Sequence, residues 1–191
     1  AGLQNQVALV YDSSTHSNQG ELVALLEGLA ETSSLITARP SGQEGPVPSF
    51  RIEYAGKPTG ISFRGIPGGH EFTSLVLAIL NADGKGKLPD SGLSSRIRGL
   101  KGPVRIKTYV SLTCENCPDV VQALNQMALT HADFQHEMVD GAYVQDEIAT
   151  LGKLASDDET SEELKKASYE LLGSMNFVVE CFGNFVDCVD Y

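Results

Sequence analysis

Residues 104–129 read VRIKTYVSLTCENCPDVVQALNQMAL. The stretch opens with Val104, Ile106, Thr108 and Val110 at alternate positions, the period of a strand. It closes with Val120, Val121, Leu124 and Ala128, the spacing of one helix face. Between them stand Cys114 and Cys117, preceded by Thr113 and followed by Pro118. A strand running into Cys-x-x-Cys at the start of a helix is the sequence sign of a thioredoxin-like dithiol.

The chemistry requires that placement. A cysteine at a helix N-terminus meets unpaired backbone N–H groups and the positive end of the helix dipole, and both favour the thiolate. The thiolate is the nucleophile. A second cysteine one turn on can close a disulfide with the first. Pro118 lacks an N–H, which costs nothing in a first helical turn. Cys114 is expected to attack and Cys117 to resolve. The same spacing also suits a structural disulfide or half of a zinc site.

Whole-chain composition narrows the classes. The chain has 191 residues, four cysteines and a net charge of −11. Four cysteines are too few for a disulfide scaffold, so a reducing, cytoplasmic location is expected. The acidic balance argues against a nucleic-acid partner. No apolar run reaches the roughly 18 residues of a membrane span, so no membrane role is expected. The start, AGLQNQVALVYD, lacks a basic region before its short apolar run, so no secretory leader is expected.

Read from the beginning, residues 7–11 form a strand, 12–19 a polar loop, and Leu22, Leu25, Leu26 and Leu29 one face of a helix. Residues 35–38 read as a short second strand, and 39–49, RPSGQEGPVPS, as a loop because of three prolines and two glycines. Phe50, Ile52 and Tyr54, then Ile61 and Phe63, predict a hairpin turning between Gly56 and Gly60. Gly68-Gly69 precede a helix over 70–80, with Leu75, Leu77 and Leu80 assigned to the core. The order β-α-β-β-β-α over residues 1–82 makes a thioredoxin-like unit without cysteines. Residues 83–103 read as a linker with a short helix near 91–98. A second thioredoxin-like unit, 104–191, carries the Cys-x-x-Cys, then a strand over 134–139 and a helix over 143–151. Its residues 151–191 are atypical, with a capping box at Thr160 to Glu163 and a hairpin turning at Gly183-Asn184. A shift of 99 residues lays Val7 on Ile106 and Leu25 on Leu124, and places Cys114 on Thr15 and Cys117 on Asn18, which reads as a weak internal repeat.

GGHEFTSLVLAIL (68–80), SLTCENCPDVVQALNQMA (111–128) and VDGAYVQDEI (139–148) closely resemble the N-terminal domain of the flavoprotein component of bacterial alkyl hydroperoxide reductase. The resemblance runs over about residues 3–150. It implies an α/β chain of two fused thioredoxin/glutaredoxin-like folds, only the second carrying a CxxC. It implies a dithiol–disulfide oxidoreductase passing electrons from a flavin-containing, thioredoxin-reductase-like domain or protein to the disulfide of a peroxiredoxin. Cys114 and Cys117 match the family dithiol, and Glu71 matches an acid that the first fold places near it. FAD and NAD(P)H are expected on a separate domain or partner, because no Gly-rich flavin motif occurs in the chain; it is expected to be a fragment or a stand-alone relative. The family's cis-proline opposite the dithiol has no counterpart, since the last proline is Pro118 and Met175-Asn176-Phe177-Val178-Val179 stands in its place.

Two other classes compete. Cys114, Cys117, Cys181 and Cys188 could together hold a structural zinc in a binding module. A redox-inert interaction module would carry its thiols incidentally. His70 reads as a polar cap residue, and His16, His131 and His136 as histidines without a nucleophile partner.

Overall fold

The computed structural model describes residues 2–156. Up to Asp140 the chain is one compact unit built on a six-stranded mixed sheet. Its elements are β1 (Val7–Ser13), α1 (Gln19–Glu31), β2 (Ile36–Glu44), β3 (Ser49–Tyr54), β4 (Lys57–Arg64), α2 (Glu71–Ala82), α3 (Ser91–Arg98), β5 (Val104–Val110), α4 (Cys117–Thr130) and β6 (Phe134–Asp140). The strand order is β2-β1-β3-β4-β6-β5. β1 pairs parallel with β2, β3 antiparallel with β1 and β4, and β6 parallel with both β4 and β5. The second unit, taken by itself, contains a 3-10 turn over Gly141–Tyr143 and α5 over Gln145–Ser156; Gln145 Nε2 ties the two by donating to the Gly141 carbonyl at 2.7 Å. The capping box and the tail hairpin with Cys181 and Cys188 lie outside the described residues.

Apolar alternation builds the core as expected. Val7, Leu9, Ile52 and Phe63 of the strands and Leu22, Leu26, Leu75 and Val121 of the helices are fully buried. Each such side chain contributes about 1.5–3 kcal/mol. Phe50 and Phe63 stack with ring centres 4.9 Å apart across β3 and β4. Leu77 and Leu80 are half-buried rather than core, and Ala78 and Ile79 take the buried positions on α2.

Three local expectations are corrected. β2 does not stop at residue 38; it continues through Pro40 to Glu44, with Pro40 opposite Tyr11 and Gly42 at φ +81°. β2 is an outer strand of the described sheet, where a proline sacrifices no ladder bond on its free side. The hairpin turn is Ala55-Gly56, with φ of 48° and 77°, a two-residue turn of the kind that matches strand twist. Finally, the elements of the two β-α-β stretches start 97 or 98 residues apart rather than 99: strands at 7 and 104, helices at 19 and 117. The Val7 N–H donates to Leu35 O at 2.8 Å, and the Val104 N–H to Asp133 O at 2.9 Å. With the helix starts matched, His16 rather than Thr15 stands at the position of Cys114. Apolar patterning tolerates a one-residue slip that hydrogen-bond register does not.

The join between the two halves of the sequence is the β4–β6 ladder, Ile61 opposite His136 through Arg64 opposite Val139. Gly60, at φ +82°, lies so close to β6 that a Cβ would sit 2.3 Å from the Phe134 carbonyl oxygen. Arg64 pairs with Glu137 at 2.7 Å, and Lys107 of β5 reaches the same carboxylate at 3.6 Å. The segment read as a linker is anchored: Ser94 and Ile97 of α3 are buried, and the His131 ring bonds the Leu100 carbonyl at 3.1 Å. Behind the ladder His136 is completely buried, with Nδ1 2.7 Å from Asn125 Oδ1 of α4 and Nε2 2.9 Å from Thr108 Oγ1 of β5. Since Oδ1 only accepts, Nδ1 carries the proton and Nε2 receives the threonine hydroxyl.

Two outcomes follow. Gly60→Ala combines a left-handed backbone with a backbone clash and is expected to cost at least about 2 kcal/mol in urea unfolding; a variant as stable as the parent would contradict the close β4–β6 approach. Burial holds the His136 imidazole neutral, its pKa pushed down from 6.5 to about 3. The unfolded chain then binds the proton first, so this contribution is whole above pH 6.5 and is lost as pH falls toward 3, at up to about 1.4 kcal/mol per pH unit. His136→Gln is expected to flatten that part of the stability–pH curve, and an unaltered slope would contradict it.

Candidate functional site

β5 ends at Val110 and a short turn leads to the cysteines. The Cys114 N–H donates to the Ser111 carbonyl at 3.0 Å, and the Ser111 and Thr113 hydroxyls bond each other at 2.9 Å. Cys114 and Cys117 form a disulfide with their Cα atoms 5.5 Å apart. Cys117 is the first residue of α4, Pro118 lies in the first turn, and Asn116 occupies the N-cap without a side-chain cap bond. Cys114 therefore precedes the helix proper, and a serine in its place would not cap α4. Both cysteines are half-buried, so exposure does not separate their roles. Glu115 and Asp119 beside them are exposed.

The third expected site residue comes from the other half of the sequence. Residues 68–71 run directly against the turn before Cys114. Gly69 has φ +51°, and a Cβ there would sit 2.6 Å from the Leu112 carbonyl oxygen. The next N–H, of His70, donates to that same carbonyl at 3.3 Å. α2 thus starts on the chain two residues before the first cysteine. His70 takes the N-cap position, but its exposed side chain makes no cap bond. Glu71 follows, completely buried.

The Glu71 carboxyl is electrostatically unusual. Neither oxygen has a hydrogen-bond partner among the described residues. Burial pushes its pKa above the ordinary carboxylate value of 4.5, while the Ser74 hydroxyl one turn on and the nearby His70 ring pull the other way. An unpaired carboxylate in such a place is costly, which is the physical cause of the upward shift. Ser74 is itself fully buried and receives Gln122 Nε2 from α4 at 3.4 Å.

Other candidates fall elsewhere. His16 Nδ1 accepts from the Asn18 N–H at 3.2 Å, and His131 Nδ1 accepts from the Asp133 N–H at 3.2 Å. His136 belongs to the core triad. Among the described residues no three metal-ligand side chains converge, and two cysteines of the zinc reading lie outside them. No helix among the described residues is long and apolar enough to cross a membrane. Sequence reading missed Ser74 and Gln122. The signal was available on α2, where Glu71, Ser74, Leu75 and Ala78 share one helical face.

What the chain resembles is consistent with this geometry. No family model matches it. The alkyl hydroperoxide reductase protein AhpF of Staphylococcus epidermidis is 42% identical over 145 residues, 76% of this chain and 28% of the relative. The chain thus spans less than a third of the length of such curated relatives. The solved N-terminal domain of alkyl hydroperoxide reductase AhpF from Enterococcus faecalis superposes with a TM-score of 0.72 at 32% identity, covering 80% of this chain and 79% of that one. A protein disulfide oxidoreductase of Aeropyrum pernix shares the fold at 19% identity, with a TM-score of 0.64 over 75% of this chain and 71% of that one. The chain has a mixed α/β, thioredoxin-like fold with a CxxC disulfide, and it belongs to the AhpF family of alkyl hydroperoxide reductase proteins.

Proposed function

We propose that the chain is a dithiol–disulfide electron shuttle with Glu71 as an acid near the dithiol; the observation carrying this reading is the Cys114–Cys117 disulfide set at a strand–helix junction. In this reading residues 1–82 and 104–191 are two fused thioredoxin-like folds bridged by 83–103, and only the second is redox-active. The donor is a flavin-containing, thioredoxin-reductase-like domain or protein that carries FAD and uses NAD(P)H. The acceptor is the disulfide of a peroxiredoxin, and the setting is the cytoplasm. The matched repeat geometry of β1-α1-β2 and β5-α4-β6 supports the tandem arrangement.

The exchange is a two-electron transfer. The Cys114 thiolate attacks one sulfur of the acceptor disulfide, forming a mixed disulfide and releasing the acceptor's other sulfur as thiolate. Cys117, once deprotonated, attacks the Cys114 sulfur. That step closes Cys114–Cys117 and releases the acceptor's second thiolate. The acceptor gains two electrons, and the two protons of the dithiol follow. The backbone N–H groups at the start of α4 favour the thiolate form. Glu71 is assigned as the acid near the sulfurs, whose carboxylate disfavours the thiolate.

Trapping with a disulfide-form peroxiredoxin tests the assignment. Reduced Cys117→Ser is expected to accumulate a stable mixed disulfide through Cys114, seen by non-reducing electrophoresis and mass spectrometry. Cys114→Ser is expected to lose capture by at least about tenfold while remaining folded. Capture through Cys117 would reverse the roles, and two unreactive sulfurs with tightly bound zinc would overturn the redox reading.

A further inference from the structure

Three large apolar side chains stand exposed among the described residues: Phe72, Leu88 and Leu93. Leu88 and Leu93 belong to the segment that leads into Val104, the end of β5 away from the dithiol. Phe72 lies at the other end, in the first turn of α2, two residues beyond His70, whose N–H is bonded to the Leu112 carbonyl. Leu112 is itself two residues before Cys114. Helical Cα–Cβ bonds tilt toward the helix N-terminus, so the Phe72 ring leans toward the turn that carries the cysteines. Apolar surface continues across this join: a Cβ on Gly68 would lie 3.9 Å from Leu112 Cδ1, and Leu112 is only half-buried. Around it stand the exposed polar side chains of His70 and Thr73 on α2 and of Thr113 and Asn116 in the turn.

An aromatic ring inside a polar rim is the composition of a protein–protein contact. A contact of standard size covers about 800 Å² per partner, a patch roughly 30 Å across, so a protein engaged at Cys114 covers the start of α2 as well. We infer that Phe72 is a recognition residue for the protein acceptor of the Cys114–Cys117 dithiol, receiving an apolar side chain that flanks the acceptor's disulfide. This rests on the reading of the chain as a shuttle. The acceptor needs such a contact more than the donor does. A donor on the same polypeptide, which the greater length of the relatives allows, is held at high effective concentration by its linker. An acceptor that arrives by diffusion depends on the contacts it makes. Phe72 takes no part in the chemistry: Cys114–Cys117 closes, the acceptor disulfide opens, and two electrons and two protons pass to the acceptor.

The test follows single-turnover oxidation of the pre-reduced full chain by two disulfides. One is a disulfide-form peroxiredoxin; the other is hydroxyethyl disulfide, which carries no side chain to meet Phe72. Acid-quenched thiol counts give a second-order rate constant for each. In Phe72→Ala the ratio of the peroxiredoxin rate to the hydroxyethyl disulfide rate is expected to fall about tenfold, the size of an interface-anchor truncation. Phe72→Leu, which keeps apolar area, is expected to recover most of that ratio. Alanine is a good helix former at an exposed helical site, so α2 survives, as an unchanged Tm will show. Leu93→Ala, equally exposed but on α3, is expected to keep the parent ratio. A parent-like ratio in Phe72→Ala, or equal losses toward both disulfides, overturns the recognition role. A parent chain that reduces neither disulfide overturns the shuttle reading itself, so the two failures are told apart.

Discussion

The site depends on one close approach. Gly69 brings its backbone against the Leu112 carbonyl at a distance that leaves no room for a β-carbon, in a left-handed conformation that glycine adopts without strain. The neighbouring His70 N–H bonds the same oxygen. Those two constraints fix where α2 begins relative to the turn that carries Cys114. Everything downstream on that helix follows by its 3.6-residue period: Glu71 turned inward, Phe72 exposed, Ser74 and Leu75 buried. The start of α2, with the buried Glu71, is thereby held against the turn two residues before Cys114.

Such a contact needs a rigid frame, and the continuous sheet supplies it. β4 and β6 pair in parallel where Gly60 permits close backbone approach, and the Arg64–Glu137–Lys107 cluster spans β4, β6 and β5. The ion pairs are partly exposed and worth no more than about 1 kcal/mol each. The ladder and the buried apolar face contribute far more. The Thr108–His136–Asn125 triad then ties the strand entering the CxxC and the helix leaving it to strand β6. A neutral histidine is the condition for that tie, which couples the frame to pH.

Much of this was legible from residues alone, for definite reasons. The strand–CxxC–helix reading rests on two clean periodicities joined by punctuation, and α3 falls at Ser91–Arg98 as expected because Asp90 caps it, accepting from the Leu93 N–H at 2.9 Å. The match of GGHEF to a known family pointed to Glu71, yet composition could not say that both of its oxygens would be buried without a partner. Pro40 and Gly42 read as breakers because a proline's cost depends on whether its strand is at an edge, which is a property of the sheet. His136 looked like an ordinary strand residue, since its partners, Thr108 and Asn125, lie 28 and 11 residues away. The 99-residue offset differs by one or two from the spacing of the element starts because a helix face accepts neighbouring alignments equally well.

The most direct measurement is the pH dependence of thiol alkylation in the reduced chain, compared between the parent and Glu71→Gln. A carboxyl group beside the dithiol disfavours a thiolate once it is charged. Removing the charge while keeping the shape should move the alkylation midpoint to lower pH with the fold intact. A Glu71→Gln profile that overlays the parent's would contradict a carboxyl working at the dithiol.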